Sequence, residues 1–288
     1  MSGNIDDNAQ KYHIFDYKEE DGLTGVAVTV QGKGHIAENK PCEDFSGAFI
    51  RGRYLVYAVA DGHSCCSNSQ YGAKYAVESV KELVDRYTKE NYSQEDMIRA
   101  FRSKSALKDL LDIWFLKVYE KESSLFDLSD NFDEAFPEYD SLTRQQRLNI
   151  TTEYGTTLLS SIVCDDIIIC FAIGDGGLYM LNRNYKEMVD VMSLCDFGKV
   201  GDAVNTSMCD LNVGEFLVSF YPKSIFDATL IMSDGVADPW QETGRFEKIN
   251  ELREKYHGEE MDSMLYGFVV NHAHQFDPDD DSLVFGEF

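Results

Sequence analysis

Three short apolar runs in this chain end in Asp-Gly: YLVYAVA before Asp61-Gly62, IIICFAIG before Asp175-Gly176, and ATLIMS before Asp234-Gly235. Runs of that length and composition read as buried strands, so each aspartate is expected at a strand end, aimed by a rigid backbone. The glycine that follows lets the chain turn sharply and lets a carbonyl or ligand come close. A fourth acidic cluster, Asp277, Asp279, Asp280 and Asp281, precedes the closing SLVFGEF, itself strand-like. Carboxylates gathered at strand ends need a counter-charge, and all-oxygen donors suit hard cations such as Mg²⁺ and Mn²⁺. These residues therefore point to metal-centred chemistry.

The elements that must position them follow from hydrophobic period. Strands are expected near 24–31, 45–50 and 54–60. After DGHSCCSNSQ, Ala73, Ala76, Val77, Val80, Leu83, Val84 and Tyr87 recur at helical spacing. Ser93 with Asp96 three residues on has the form of a helix cap, and Leu107, Leu110, Leu111, Trp114 and Val118 form a second stripe. A short helix is expected near Thr143–Leu148. From Thr156 the pattern changes to short β-branched runs at 156–164, 167–173, 177–182, 186–192, 214–220 and 228–233, separated by Asp, Asn and Gly turns. Two helices, Phe246–Tyr256 and Met261–His274, and a last strand complete the chain. Strands grouped apart from helices predict an α+β fold, a β-sandwich of two antiparallel sheets flanked by helices. Residues 1–21 are expected as an irregular lead-in, and 22–288 as a single domain.

Composition narrows the function classes. A net charge of −25 disfavours a nucleic-acid phosphate backbone or an anionic membrane as the partner. No apolar run approaches the about 20 residues of a membrane helix, and MSGNIDDNAQKYH lacks signal-peptide character, so a cytoplasmic location is expected. The seven cysteines include no C-x-x-C pair, which favours reduced thiols over a zinc site. Adjacent Cys65 and Cys66 have no arginine a few residues downstream to cradle phosphate, so they read as packing residues rather than nucleophiles.

Taken together, GKGHIAENKPCEDFSG (32–47), VADGH (59–63), GTTLL (155–159), AIGDGGLYML (172–181), MSDGV (232–236) and DDDSL (279–283) resemble the metal-dependent serine/threonine protein phosphatases of type 2C. The GxxHxxxxxPCxD opening and the NTS at 205–207 look closest to a bacterial branch. The resemblance implies two Mg²⁺ or Mn²⁺ ions. Asp61 would bridge them, the Gly62 carbonyl would bind one, Asp234 and Asp279 would complete the first site, and Glu43 or Asp44 would serve the second. Asp175 and Asp280 would support these ligands from behind. Such a pair of cations lowers the pKa of a bridging water and clamps the phosphoryl group for in-line displacement. His63 is placed to protonate the leaving alkoxide.

The chain also departs from the family pattern. An arginine that forks onto the substrate phosphate in many members is absent, and Lys33 and His35 are the candidates to replace it. Thr152 and Glu153 stand where a third-metal aspartate is often found before GTT. The activity implied is hydrolysis of phosphoserine and phosphothreonine in proteins, opposite serine/threonine kinases, by a monomer. The alternatives are a phosphatase-fold regulatory or scaffold module, and a phosphatase acting on a small phosphorylated metabolite.

Overall fold

A computed structural model describes residues 12–16, 24–127, 136–182, 187–194, 206–242, 246–256, 258–275 and 279–288. Asp277, Asn205 and one of the seven cysteines, Cys195, lie outside these residues. The chain opens with β1 (Tyr12–Asp16), β2 (Thr24–Val30), the short helix α1 (Lys33–Glu38), β3 (Phe45–Arg51) and β4 (Tyr54–Ala60). Four helices follow: α2 (Ser69–Lys89), α3 (Gln94–Arg102), α4 (Ser105–Asp127) and α5 (Arg144–Thr151). Strands β5 (Leu158–Val163), β6 (Ile167–Ile173), β7 (Gly177–Asn182), β8 (Glu187–Asp190), β9 (Leu217–Pro222) and β10 (Ala228–Met232) come next. Helices α6 (Asp234–Glu242), α7 (Phe246–Lys255) and α8 (Glu259–Gln275) then lead to β11 (Asp281–Glu287).

The strands form two antiparallel sheets, one ordered β1-β2-β11-β10-β7-β8 and the other β3-β4-β5-β6-β9. The sandwich expected from the strand pattern is thus present. Strand β4 shows why its sequence is continuously apolar rather than alternating: all seven residues are buried. Leu55, Tyr57 and Val59 face the second sheet with Leu159, Ile231 and Val284, while Val56, Ala58 and Ala60 pack under α2 and α4 with Val77, Leu110 and Trp114. The Trp114 indole donates to the Gly72 carbonyl at 3.0 Å, fixing α4 on α2. On the far side, Leu230, Phe285, Val236, Ile249, Leu265 and Val269 join the six-stranded sheet to α6, α7 and α8. Burying an aliphatic side chain contributes about 1.5–3 kcal/mol, so these three apolar layers hold the strand ends in place.

Local chemistry agrees with the reading of helix starts. Ser93 and Asp96 form a reciprocal capping box on α3, and Thr143 and Gln146 form another on α5. Three elements go beyond the reading of the sequence. Residues 1–21 are not wholly irregular, because β1 pairs with β2, Phe15 opposite Ala27. The segment 33–38 is a helix, closed by Asn39 in the left-handed region at φ 55°. Asp234 does not end in a turn but opens α6, since Val236 and Ala237 donate to the Ser233 carbonyl at 3.2 and 2.9 Å.

Candidate metal centre

One end of the sandwich gathers the acidic residues. Strand β4 delivers Asp61, β10 delivers Asp234, β11 starts at Asp281 immediately after Asp279 and Asp280, and the loop between α1 and β3 brings Glu43 and Asp44. Sheet register sets the alignment: Met232 pairs with Leu283, and Ser233 N donates to Ser282 O at 3.0 Å, so Asp234 arrives beside residues 279–281. Asp61 is fixed from the neighbouring strand, its N–H donating to Thr157 Oγ1 at 3.0 Å and its carbonyl accepting from Thr157 N at 2.8 Å.

The electrostatics are those of crowded carboxylates. Burial pushes Asp44 and Asp61 well above the usual carboxylate range, and neighbouring Asp280, Asp234, Asp44 and Asp279 push further. Asp234 is raised chiefly by burial, with Asp175 and Asp279 adding to it. Asp61 and Asp234 hydrogen-bond to each other through their side chains, a contact that raises Asp61 and lowers Asp234. Ser233 hydrogen-bonds Asp44.

Glu43 and Asp44 are 6% and 5% exposed, and Glu43 Oε2 and Asp44 Oδ2 are buried with no hydrogen-bond partner. Glu43 Oε1 accepts from Ser69 Oγ at 2.8 Å. An unpartnered carboxylate oxygen inside a protein costs several kcal/mol, about the penalty a bound cation removes. Among the described residues no group of three or more His, Cys, Asp or Glu side chains is already gathered in a metal-holding arrangement. The donor chemistry nevertheless fits divalent cations: two orphaned buried oxygens and three carboxylates whose ionisation is suppressed by burial and by one another. Asp44, Asp61, Asp234, Asp279 and Glu43, with the Gly62 carbonyl, are the residues that would hold them.

His35 and Asp280 lie against each other beside Glu43. Asp280 Oδ2 lies 2.8 Å from His35 Nδ1, and the same carboxylate accepts from Gly32 N at 2.7 Å and Glu43 N at 2.6 Å. His35 Nε2 faces Glu43 Oε2 at 3.6 Å and Asp279 Oδ1 at 3.8 Å. His35 is 7% exposed and has carboxylates facing both ring nitrogens. Lys33 is exposed at the start of α1, and Asp279 is half exposed at the rim.

Glycine is required at two points. A Cβ on Gly62 would lie 2.6 Å from the Glu43 carbonyl, so only glycine lets these ligand segments touch. A Cβ on Gly155 would lie 3.0 Å from His63 Nδ1 and 2.8 Å from Cys66 Sγ. His63 is partly exposed, and its N–H donates to the Gly155 carbonyl at 3.0 Å. Burial lowers its pKa, opposed by Asp210 and Asp234. The thiol of Cys66, pushed up to about 11 mainly by burial, is a poor nucleophile. Glu153 accepts from Ser67 N and Oγ at 3.1 and 2.8 Å, which commits it to the His63 loop rather than to a third cation. Asp175 sits partly exposed after β6, close enough to raise Asp234.

The sequence reading assigned no role to Ser69, Thr157, Thr206, Ser207 or Ser233. Thr206 Oγ1 accepts from Gly174 N at 3.1 Å and Ser207 Oγ from Thr156 N at 3.1 Å, so part of the NTS segment ties two site loops together. The segments MSDGV, GTTLL, NTS and DGHSCCSNSQ contained these hydroxyls, but only the fold shows what they hold.

Residues 31–269 match the family model described as Protein phosphatase 2C, and the chain belongs to that family. No curated protein matches its sequence. Among solved structures, the serine/threonine phosphatase Stp1 from Staphylococcus aureus superimposes with a TM-score of 0.62 at 14% identity, covering 92% of this chain and 95% of that one. The catalytic domain of serine threonine protein phosphatase PstP in complex with two manganese ions gives 0.59 at 15%, covering 92% and 97%. RsbX in complex with magnesium gives 0.54 at 11%, covering 96% and 99%. Identities this low establish a shared fold.

Proposed function

We propose that the protein hydrolyses phosphoserine and phosphothreonine monoesters in protein substrates at a centre for two divalent cations. Family membership makes phosphatase chemistry the starting point. The observation that carries the finer reading is the pair of buried, unpartnered oxygens on Glu43 and Asp44 beside the raised carboxylates Asp61 and Asp234. Bound there, Mg²⁺ or Mn²⁺ would lower the pKa of a water and neutralise charge on the phosphoryl group.

The chain's own residues do the rest. Asp61 and Asp234, at the ends of β4 and β10, would supply carboxylate oxygens to the cations. His63, anchored through Gly155, is the residue within the site able to give a proton to the departing oxygen. Asp280 holds the Glu43 backbone, and Ser233 holds Asp44. Lys33, exposed on α1, is the candidate side chain for the substrate phosphate.

The test is turnover of a phosphothreonine peptide by the purified chain with Mn²⁺, with EDTA, and with Asp234→Asn. Activity that needs Mn²⁺ and vanishes in both controls supports the reading. Bound Mn²⁺ without turnover would turn attention to a binding module of the same fold.

A further inference from the structure

We propose that Cys65 and Cys66 form a peroxide-sensitive dithiol, whose oxidation to a disulfide displaces the loop carrying His63 and switches the site off. The effect on turnover rests on the phosphatase reading above, whereas the thiol chemistry stands apart from it.

The two thiols touch, and one of them faces the proton donor. Cys65 Sγ and Cys66 Sγ lie 3.8 Å apart, Cys65 exposed and Cys66 half-buried. A Cβ on Gly155 would stand 2.8 Å from Cys66 Sγ and 3.0 Å from His63 Nδ1, so thiol and imidazole lie against the same glycine. Cys66 N donates to the His63 carbonyl at 2.8 Å, and the Cys66 thiol donates to the Thr152 carbonyl at 3.3 Å. The next two residues are pinned to the same wall, Ser67 Oγ by Glu153 Oε2 and Asn68 N by the Glu153 carbonyl, each at 2.8 Å. Cys66 is therefore one of the points that fix the His63 loop on residues 152–155.

Burial gives the two thiols different parts. The thiolate is the nucleophile, and burial pushes Cys66 up to about 11, so peroxide meets the exposed Cys65 first. The Cys65 sulfur attacks one peroxide oxygen, the O–O bond breaks, and the hydroxide released becomes water as Cys65 becomes a sulfenic acid. The Cys66 sulfur then attacks the Cys65 sulfur. The S–S bond forms, the S–O bond breaks, and the departing hydroxide takes up the Cys66 proton. Two thiols are oxidised and one hydrogen peroxide is reduced to two waters.

Closing that bond cannot leave the loop as it stands. Cα atoms joined by one trans peptide are about 3.8 Å apart, below the about 4.4–6.8 Å that disulfides usually span. The peptide between Cys65 and Cys66 must twist, and the Cys66 N–H and sulfur are drawn away from the His63 and Thr152 carbonyls.

The deciding experiment treats the purified full chain with hydrogen peroxide and removes the oxidant with catalase. Tryptic peptide masses and the His63 imidazole resonances, assigned by their loss in His63→Gln, are read first. Turnover of a phosphothreonine peptide is read after Mn²⁺ is added. Trypsin releases residues 54–74 as one peptide that holds Cys65 and Cys66 and no other cysteine. In the oxidised wild type this peptide should be two hydrogens lighter and closed to alkylation, and the His63 resonances should shift. Turnover should fall about 10–100-fold, the scale on which about 1 Å of misplacement acts. Dithiothreitol should reverse all of these changes. Cys65→Ser should keep its turnover and its His63 resonances under the same treatment, and Cys66→Ser should stop at a sulfenic acid that dimedone traps. A disulfide that joins either thiol to Cys209, which is close enough to raise Cys66, overturns the pairing. Recovery of the peptide with both thiols reduced overturns it too. A closed disulfide with unmoved His63 resonances, or with turnover intact, overturns the switch. Absence of turnover before oxidation counts against the phosphatase reading alone, since the masses and resonances still decide whether the dithiol closes and moves His63.

Discussion

The backbone N–H of Glu43 donates to Asp280 Oδ2 at 2.6 Å, a bond that ties the loop before β3 to the start of the last strand across 237 residues of sequence. The two acidic segments are thereby held together by one buried carboxylate. Because Asp280 also receives Gly32 N and His35 Nδ1, its loss should be felt at several sites at once.

Asp280→Asn replaces one acceptor oxygen by a donor and leaves a buried N–H without a partner, which costs about 1–3 kcal/mol. The expected outcome is a lower melting temperature together with weaker Mn²⁺ binding. Calorimetry and thermal denaturation check both; unchanged affinity would mean that Glu43 keeps its place without this bond.

Gly62→Ala puts a Cβ 2.6 Å from the Glu43 carbonyl and 2.9 Å from Ser69 Cβ. The backbone must move, and overpacking of this kind costs about 1–3 kcal/mol. Turnover should fall much further than stability, because the displaced group is the Gly62 carbonyl together with its neighbour Asp61. Equal activity to wild type would show that the loop absorbs the methyl group freely.

Asp44→Asn should have opposite effects with and without cation. Removing one of several buried carboxylates relieves repulsion on Asp61, so the cation-free protein should melt at a higher temperature than wild type. Added Mn²⁺ should stabilise the wild type by about 2.7 kcal/mol at 100 times its dissociation constant, and the variant by clearly less. Thermal shift with and without EDTA gives both numbers.

Glu153 accepts two hydrogen bonds from Ser67, and these hold its carboxyl below the ordinary glutamate range. A depressed pKa means that the folded state prefers the charged form. The contribution is therefore complete above the unfolded-state pKa and is lost as pH falls through the lower folded value. The protection factor of the Ser67 amide, its exchange rate relative to an unstructured amide at the same pH, should fall over that acidic window in the wild type, and Glu153→Gln should remove the pH step.

Much of the site could be read from one dimension because strand ends announce themselves. The apolar runs 54–60 and 228–232 had to be buried strands, so Asp61 and Asp234 had to emerge at their ends, and the Asp-Gly pairs marked where a backbone turns closely. Helix caps at Ser93 and Thr143 were equally local, set by side chains reaching three residues along the chain. The strand at Tyr12–Asp16 was not legible, since YHIFD carries little alternation and is defined by its pairing with β2. The same holds for α6, whose first turn is held by the Ser233 carbonyl and by packing of Val236 and Ala237.

The sequence by itself determined the strand ends, the acidic inventory and the family, because these depend on residue type and spacing along the chain. Tertiary structure alone decided the fate of His35, since its neighbours Glu43, Asp279 and Asp280 come from a following loop and from the far C-terminal strand. A histidine's partner sets its tautomer and thus its chemistry, and that partner is chosen by how the two sheets bring distant segments together.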